Sequence, residues 1–228
     1  MSRVLIIGDL HLPAVRNKYI DFCKDIRTKW KCNEIVFIGD IIDWHSISRW
    51  TKEPNLPGPK DEYELAKQLV AQWYKAFPKA NVCIGNHDER PERLAKTVNI
   101  PGFMLQPYDK LWDTPKWKWN YRFKLDGVHY RHGTGCKGIH PAWNLMNKSH
   151  SSVVIGHCHS RVGIKWSMNP DQRFFGMDVG CGIDDSKWQF SYNRDIEERS
   201  ICSCGVVIDG FPYIEIMPIS KGEKYYEV

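Results

Sequence analysis

Ile7-Gly8-Asp9-Leu10-His11, Ile38-Gly39-Asp40-Ile41-Ile42-Asp43, Ile84-Gly85-Asn86-His87-Asp88, Tyr130-Arg131-His132-Gly133 and Ile155-Gly156-His157-Cys158-His159 share one design. In each, an apolar run ends on aspartate, asparagine or histidine, with a glycine beside the junction. Open α/β sheets bind ligands beyond the carboxyl ends of their strands, so these polar strand ends are expected to converge on one site. Glycine at such a junction lets the backbone turn sharply with no side chain in the way.

The surrounding pattern supports this reading. Val4 to Ile7, Glu34 to Ile38 and Asn81 to Ile84 read as buried strands. Between them Tyr19, Phe22, Cys23, Ile26 and Trp30, then Tyr63, Ala66, Leu69, Trp73 and Phe77, recur at helical spacing, the second run closed by Pro78. Such alternation predicts a βαβ core. Beyond Pro101 strands dominate: a hairpin of Tyr121 to Leu125 and Val128 to Arg131 around Asp126-Gly127, then Ser152 to Ile155, Arg173 to Val179, Ile201 to Ile208 and Pro212 to Met217. Segments 101–120 and 184–200 lack periodicity and read as long surface loops. No repeat or Pro/Ser-rich linker divides the chain, so 1–228 is read as one domain.

At 228 residues, 42% hydrophobic and 26% charged, the composition excludes disorder. No apolar run approaches the roughly 20 residues that span a bilayer, and Gly8 and Asp9 interrupt the N-terminus too early for a signal peptide. The expectation is a cytoplasmic protein without a membrane partner. Lys and Arg number 32 against 27 acidic residues, a formal +5. That balance mildly favours an anionic substrate without deciding for nucleic acid. The eight cysteines form no C-x-x-C pair and read as free thiols. Cys83 lies in an apolar run, and Cys202 and Cys204 share a strand face with Val206 and Ile208, so core packing accounts for them.

Asp9 and His11, like His157 and His159, stand two apart, which on an extended backbone points both side chains to one side. Carboxylate, amide oxygen and imidazole together suit Mn²⁺, Fe or Zn²⁺, while the lack of matched thiolates argues against a structural zinc site. Seven such ligands are too many for one ion and suit two.

In order along the chain, D-x-H, G-D-x-x-D, G-N-H-D, a histidine before glycine and G-H-x-H resemble the calcineurin-like metallophosphoesterase superfamily, in particular its phosphodiesterase and nuclease branch. The motifs run from Asp9 to His159, about two-thirds of the chain; each is weak alone and the set is specific. The resemblance implies a four-layer α/β/β/α sandwich, two central mixed sheets flanked by helices, with a dinuclear metal site at the strand ends. It implies that Asp9, His11 and His159 bind one ion, that Asn86, His132 and His157 bind the other, and that Asp40 bridges them. His87 would stand beside the metals as proton donor, oriented by Asp43.

Two ions about 3.5 to 4 Å apart acidify a shared water and clamp phosphate oxygens for an in-line displacement at phosphorus. The resemblance makes Mn²⁺ the leading cofactor, with Fe or Zn²⁺ as alternatives. Two carboxylates against two divalent ions leave the centre net positive, which draws an anionic phosphoester. Imidazole, with an ordinary pKa near 6.5, suits protonation of a leaving alkoxide at neutral pH.

Competing readings exist for several residues. A lone aspartate or histidine at a strand end is more often a cap or a core hydrogen-bonding group, and only the joint pattern reverses this. His129 competes with His132 but does not precede a glycine; His45, His129, His140 and His150 read as surface or structural residues. Cys158 should point away from its neighbours by strand alternation. Gly133-Thr134-Gly135-Cys136-Lys137-Gly138 matches G-x-G-x-x-G, yet no acidic residue follows near 155–160, so dinucleotide binding is set aside. Arg90, Arg93 and Lys137 are open between phosphate contact and solvation. Trp44, Trp50, Trp112, Trp117 and Trp119 can stack bases, but packing under loops is the better reading.

Trp44-His45 follows Asp43 where the protein Ser/Thr phosphatases of this superfamily carry Arg-Gly, and His87 stands where the lipid-A pyrophosphatase branch carries arginine. The leading expectation is therefore a phosphodiesterase acting on nucleic acid or nucleotides. A phosphomonoesterase and a non-catalytic binding scaffold are the alternatives. The sequence leaves the natural substrate, the native metal and the oligomeric state open.

Overall fold

The computed structural model describes residues 2–187, 189–190 and 197–218. Its first sheet runs in the order β11-β10-β1-β2-β3-β4 and its second in the order β5-β6-β7-β9-β8. In the first, β1 (Arg3–Ile7), β2 (Glu34–Phe37), β3 (Ala80–Cys83) and β4 (Trp117–Asn120) are parallel, while β10 (Ser203–Ile208) and β11 (Phe211–Ile216) continue it antiparallel from β1. In the second, β6 (Val128–Tyr130), β7 (Val153–Ile155) and β9 (Arg173–Val179) are parallel, with β5 (Phe123–Leu125) and β8 (Val162–Met168) antiparallel at the edges.

Strand alternation explains the layering. Leu5, Ile7, Ile35 and Phe37 face one way and pack with Cys23 and Ile26 of α1 (Tyr19–Lys29) and Ala66, Val70 and Trp73 of α2 (Pro59–Ala76). Their neighbours Val4, Ile6, Val36 and Ile38 face the other way and meet Tyr130, Val154, Phe175 and Met177 of the second sheet. On that sheet's far side α5 (Pro141–Ser149) packs Met146 against Val153 and Phe174. Each fully buried side chain of this kind stabilises the fold by roughly 1.5 to 3 kcal/mol. The result is the expected four-layer sandwich with two mixed sheets.

The helices are punctuated as their sequences require. In α1, Asp21 lies in the first turn and Arg27 and Lys29 in the last, complementing the helix dipole. Helix α2 starts on Pro59, where the missing N–H costs nothing. Asp126 (φ 47°) and Gly127 (φ 79°) both adopt positive φ, as a two-residue type I′ hairpin turn demands.

Segment 101–120 is more ordered than expected of a surface loop. It contains α4 (Tyr108–Leu111) and β4, which adds a parallel edge to β3. Trp117 and Trp119 alternate inward there while Lys118 and Asn120 stay exposed, a period of two that the Pro- and Trp-rich composition concealed. Helix α3 (Arg90–Thr97), α5 and β8 are also additions to the sequence reading. Segment 184–200 lies partly outside the described residues; within its described part, Phe190 is buried against Ala14, Cys181 and Ile183. Among the described residues the cysteines form no disulfide, as expected; Cys202 is buried, and Cys204 and Val206 share a core cluster with Ile208 packed beside it.

Candidate metal centre

Each junction quoted at the outset closes on the same end of the two sheets. Asp9 and His11 leave β1, Asp40 and Asp43 leave β2, Asn86 and His87 leave β3, His132 leaves β6, and His157 and His159 leave β7. Their ligand atoms fall into three overlapping groups, each within 4.8 Å: Asp9 with His11 and His159; Asp40 with His132 and His157; and His11 with Asp40 and His87.

Within the first group, His159 Nε2 lies 3.1 Å from Asp9 Oδ2 and 3.2 Å from His11 Nε2. Within the second, His132 Nε2 lies 3.1 Å from Asp40 Oδ2, 3.2 Å from His157 Nδ1 and 3.0 Å from Asn86 Oδ1. Asn86 thus stands in hydrogen-bonding reach of this second group. Backbone amides position the carboxylates: the His157 N–H donates to Asp9 Oδ2 (2.9 Å) and the His87 N–H to Asp40 Oδ1 (2.7 Å).

This donor set fits divalent cations. Asp9 Oδ1 is buried and accepts no hydrogen bond, a costly state for an anionic oxygen without a cation. Two ring-nitrogen pairs, His11 with His159 and His132 with His157, face each other at 3.2 Å, where a neutral imidazole supplies only one N–H for two such directions. Nitrogen and carboxylate atoms aimed at one point, without thiolates, suit Mn²⁺, Fe or Zn²⁺.

Two charged networks hold the rings. Asp43 Oδ1 lies 2.8 Å from His11 Nδ1 and 3.0 Å from His87 Nδ1, so one buried carboxylate orients both imidazoles. Burial alone would raise the Asp43 carboxyl, but hydrogen bonds from His11 and His87 hold it far below the usual range. Asp40 likewise stays ionised because His132 and His87 outweigh its burial. Burial opposes charge on His132, yet Asp40 and Asp9 push it up to about 9. His157, buried and beside His132, falls to about 4. For His87 the attraction of Asp40 and Asp43 exceeds the burial cost, and its pKa is raised.

The backbone route to this geometry differs from the expected one. His11 (φ 47°), Asp40 (φ 47°) and His157 (φ 70°) are left-handed, so the D-x-H and H-x-H pairs converge through tight turns, not by extended alternation. Each such residue costs about 1 to 2 kcal/mol, offset by the networks that fix it. Cys158 is therefore not turned aside by strand pairing; it sits half-buried in a turn and belongs to none of the three groups. Most junction glycines are required for close approach more than for turning: a Cβ on Gly85 would meet the Asp40 carboxylate, and one on Gly156 the Asp9 carboxylate. Gly39 (φ 113°) needs both freedoms, since its Cβ would also strike His132.

Other candidates separate clearly. His129 lies on β5–β6 opposite Lys124, away from these groups, whereas His132 is central. His45 is structural: its Nε2 accepts the Glu53 N–H at 3.2 Å. The glycine-rich run 133–138 is a turn-containing loop with three positive-φ glycines, and Lys137 is exposed on it. Arg93 pairs with Glu89 on the surface. Arg90 instead joins the site, donating to the Asp43 carbonyl (2.7 Å) and the Trp44 carbonyl (3.1 Å), with Nη2 3.1 Å from His87 Nε2. Asp88, given no role from sequence, ties the β3 and β2 loops together by accepting from Gly85 N (2.9 Å) and Ile42 N (3.2 Å). Its place in G-N-H-D was the available signal. Of the tryptophans, Trp44, Trp112 and Trp117 are buried and Trp119 packs against them, as expected, but Trp50 is 71% exposed.

Several known proteins are similar to this chain. A mycobacteriophage D29 protein designated Gene 54 is 27% identical over 206 residues, covering 78% of each chain. Among solved structures, a metallophosphoesterase from Sphaerobacter thermophilus aligns with 95% of this chain and 88% of its own at 16% identity and TM-score 0.45. Vacuolar protein sorting 29 from Cryptosporidium parvum covers 96% of this chain and 98% of its own at 12% identity and TM-score 0.47. The calcineurin-like phosphoesterase family model matches residues 2–182, an interval that holds every residue of the three donor groups; the chain belongs to the calcineurin-like phosphoesterase family.

Proposed function

We propose that the chain is a single-domain, dinuclear-metal-dependent phosphodiesterase acting on nucleic acid or nucleotides. Asp9, His11 and His159 would hold one ion and Asn86, His132 and His157 the other, with Asp40 in reach of His132 and of His11. Asp40 supports this by belonging to two of the three donor groups. Divalent ions held by these residues, Mn²⁺ in first place, would supply Lewis acidity and an acidified water. The chain's own residues do the rest: Asp43 fixes the His87 ring through Nδ1, Arg90 adds positive charge beside Nε2, and His87 delivers a proton to the departing oxygen.

The observation that carries the diester reading is that depressions flank the donor groups. One, of about 730 Å³, is lined by His87, Asp43 and Arg90; another, of about 280 Å³, is lined by His132, Arg122 and Arg131. A phosphate with substituents on both ester oxygens uses two flanks, whereas a terminal monoester uses one.

The test is hydrolysis of bis-p-nitrophenyl phosphate beside p-nitrophenyl phosphate by protein stripped of metal and reloaded with Mn²⁺. A higher kcat/KM for the diester, lost on stripping and regained on reloading, is expected. Preference for the monoester would move the assignment to a phosphomonoesterase. Two bound ions with turnover of neither ester would favour a binding scaffold.

A further inference from the structure

The cavity on the His87 side has a wall that the hydrolytic machinery does not use. Beyond Asp43, His87 and Arg90 it is bounded by segment 48–53, with Trp50 and Lys52 prominent, and no residue of the Asp40–His132–His157 group lines it. Because His87 both belongs to a donor group and lines this space, a group leaving as an alcohol, protonated by His87, departs into it. Its volume of about 730 Å³ is that of a small-molecule pocket.

Trp50 is the exception among the loop tryptophans. The others are absorbed by the core, while its indole stays 71% exposed on the cavity rim. The Arg49 guanidinium lies 5.4 Å from the ring centroid. The segment is held in place: Glu62 accepts from the His45 and Ser46 amides (2.7 and 2.8 Å), His45 accepts from the Glu53 amide, and Ser48 Oγ accepts from the Trp50 amide (3.2 Å). A solvent-facing indole on an anchored segment, with the Arg49 guanidinium against its ring and Lys52 on the same cavity wall, is the arrangement that stacks a planar base next to a phosphate.

We propose that this cavity is the leaving-group subsite and takes a nucleoside, with Trp50 as the stacking platform for its base. The proposal rests on the phosphodiesterase reading, but the two fail separately. Adenosine contains no phosphate, so its binding reads the subsite without hydrolysis. Calorimetric titration of the Mn²⁺-loaded 228-residue chain is expected to show adenosine binding and no ribose binding over the same range. Trp50→Ala is expected to weaken adenosine about tenfold, the scale of base–aromatic stacking, at unaltered melting temperature, and Trp50→Phe to restore most of the loss. Adenosine bound equally by wild type and Trp50→Ala, no adenosine binding at all, or ribose bound as well as adenosine would each overturn the proposal. Adenosine binding that depends on Trp50, without diester hydrolysis, would sustain the subsite and sink the proposed activity alone.

Discussion

Asp40 is the residue on which the proposed two-ion arrangement turns. Its Oδ2 lies 3.1 Å from His132 Nε2 and 3.6 Å from His11 Nε2, so one carboxylate addresses both donor groups. Asp40→Asn removes the charge while keeping its shape, and metal content measured by elemental analysis is expected to fall together with activity; full occupancy in the variant would refute the bridging role. His87 is tested by leaving-group dependence. General acid catalysis contributes about 10²- to 10⁴-fold, and nitrophenolate departs with little help. His87→Ala is therefore expected to lose that factor on alkyl-leaving diesters and far less on bis-p-nitrophenyl phosphate. Equal losses on both substrates would remove the proton-donor role. These residues were legible in sequence because one motif class recurs at five junctions. The left-handed turns at His11, Asp40 and His157 were not, since nothing in D-x-H or H-x-H separates a turn from an extended pair. Arg90 was ambiguous because an arginine after G-N-H-D reads alike whether it turns to solvent or, as here, to the Asp43 carbonyl.

Among the elements, those seen from sequence are the most thoroughly buried: β1 and β2 are unbroken apolar runs covered on both faces, and α1 and α2 carry helical stripes. Those missed are marginal by the same measure. Strand β8 is a half-exposed edge, α3 is a charged eight-residue helix with Ala95 its buried residue, and α5 has nine residues with two asparagines. What holds α5 is tertiary: Asp178 on β9 accepts from the Ala142 N–H at 3.3 Å through both oxygens. Burial raises the Asp178 carboxyl to about 7, against the opposing pull of Ala142 N–H and Arg161. In the unfolded chain it titrates near 3.9, so between these values the folded chain retains a proton that the unfolded chain has lost. Its contribution is complete below about pH 4 and disappears as pH rises through 7. Asp178→Asn keeps an acceptor and cannot ionise. From pH 5 to pH 8 its stability relative to wild type is expected to improve by about 2 to 3 kcal/mol, read by urea unfolding at each pH. A gap independent of pH would show that Asp178 ionises freely in the fold.

At the scale of the molecule, the candidate centre is divided between the sheets. Asp9, Asp40 and Asn86 follow strands of the first, and His132, His157 and His159 follow strands of the second. The distances between donors therefore depend on how the sheets sit on each other, which is set by the layer of Val4, Ile6, Val36, Ile38, Phe175 and Met177. The helix-facing layer, with Phe37, Trp73 and Phe77, supports the first sheet alone. Phe175 and Phe77 are both fully buried, and either Phe→Ala change costs about 3 to 5 kcal/mol through lost burial and the cavity left behind. Their effects on the site should differ. Phe175→Ala loosens the joint between the two halves of the donor set, whereas Phe77→Ala leaves that joint intact. At a temperature where both variants remain folded, Mn²⁺ affinity by calorimetry is expected to drop about tenfold in Phe175→Ala and to stay near wild type in Phe77→Ala, since ligand misplacement and loss of supporting contacts weaken metal binding by about 10- to 100-fold. Equal affinities in the two variants would mean that the donor loops hold their own geometry, independent of the packing between the sheets.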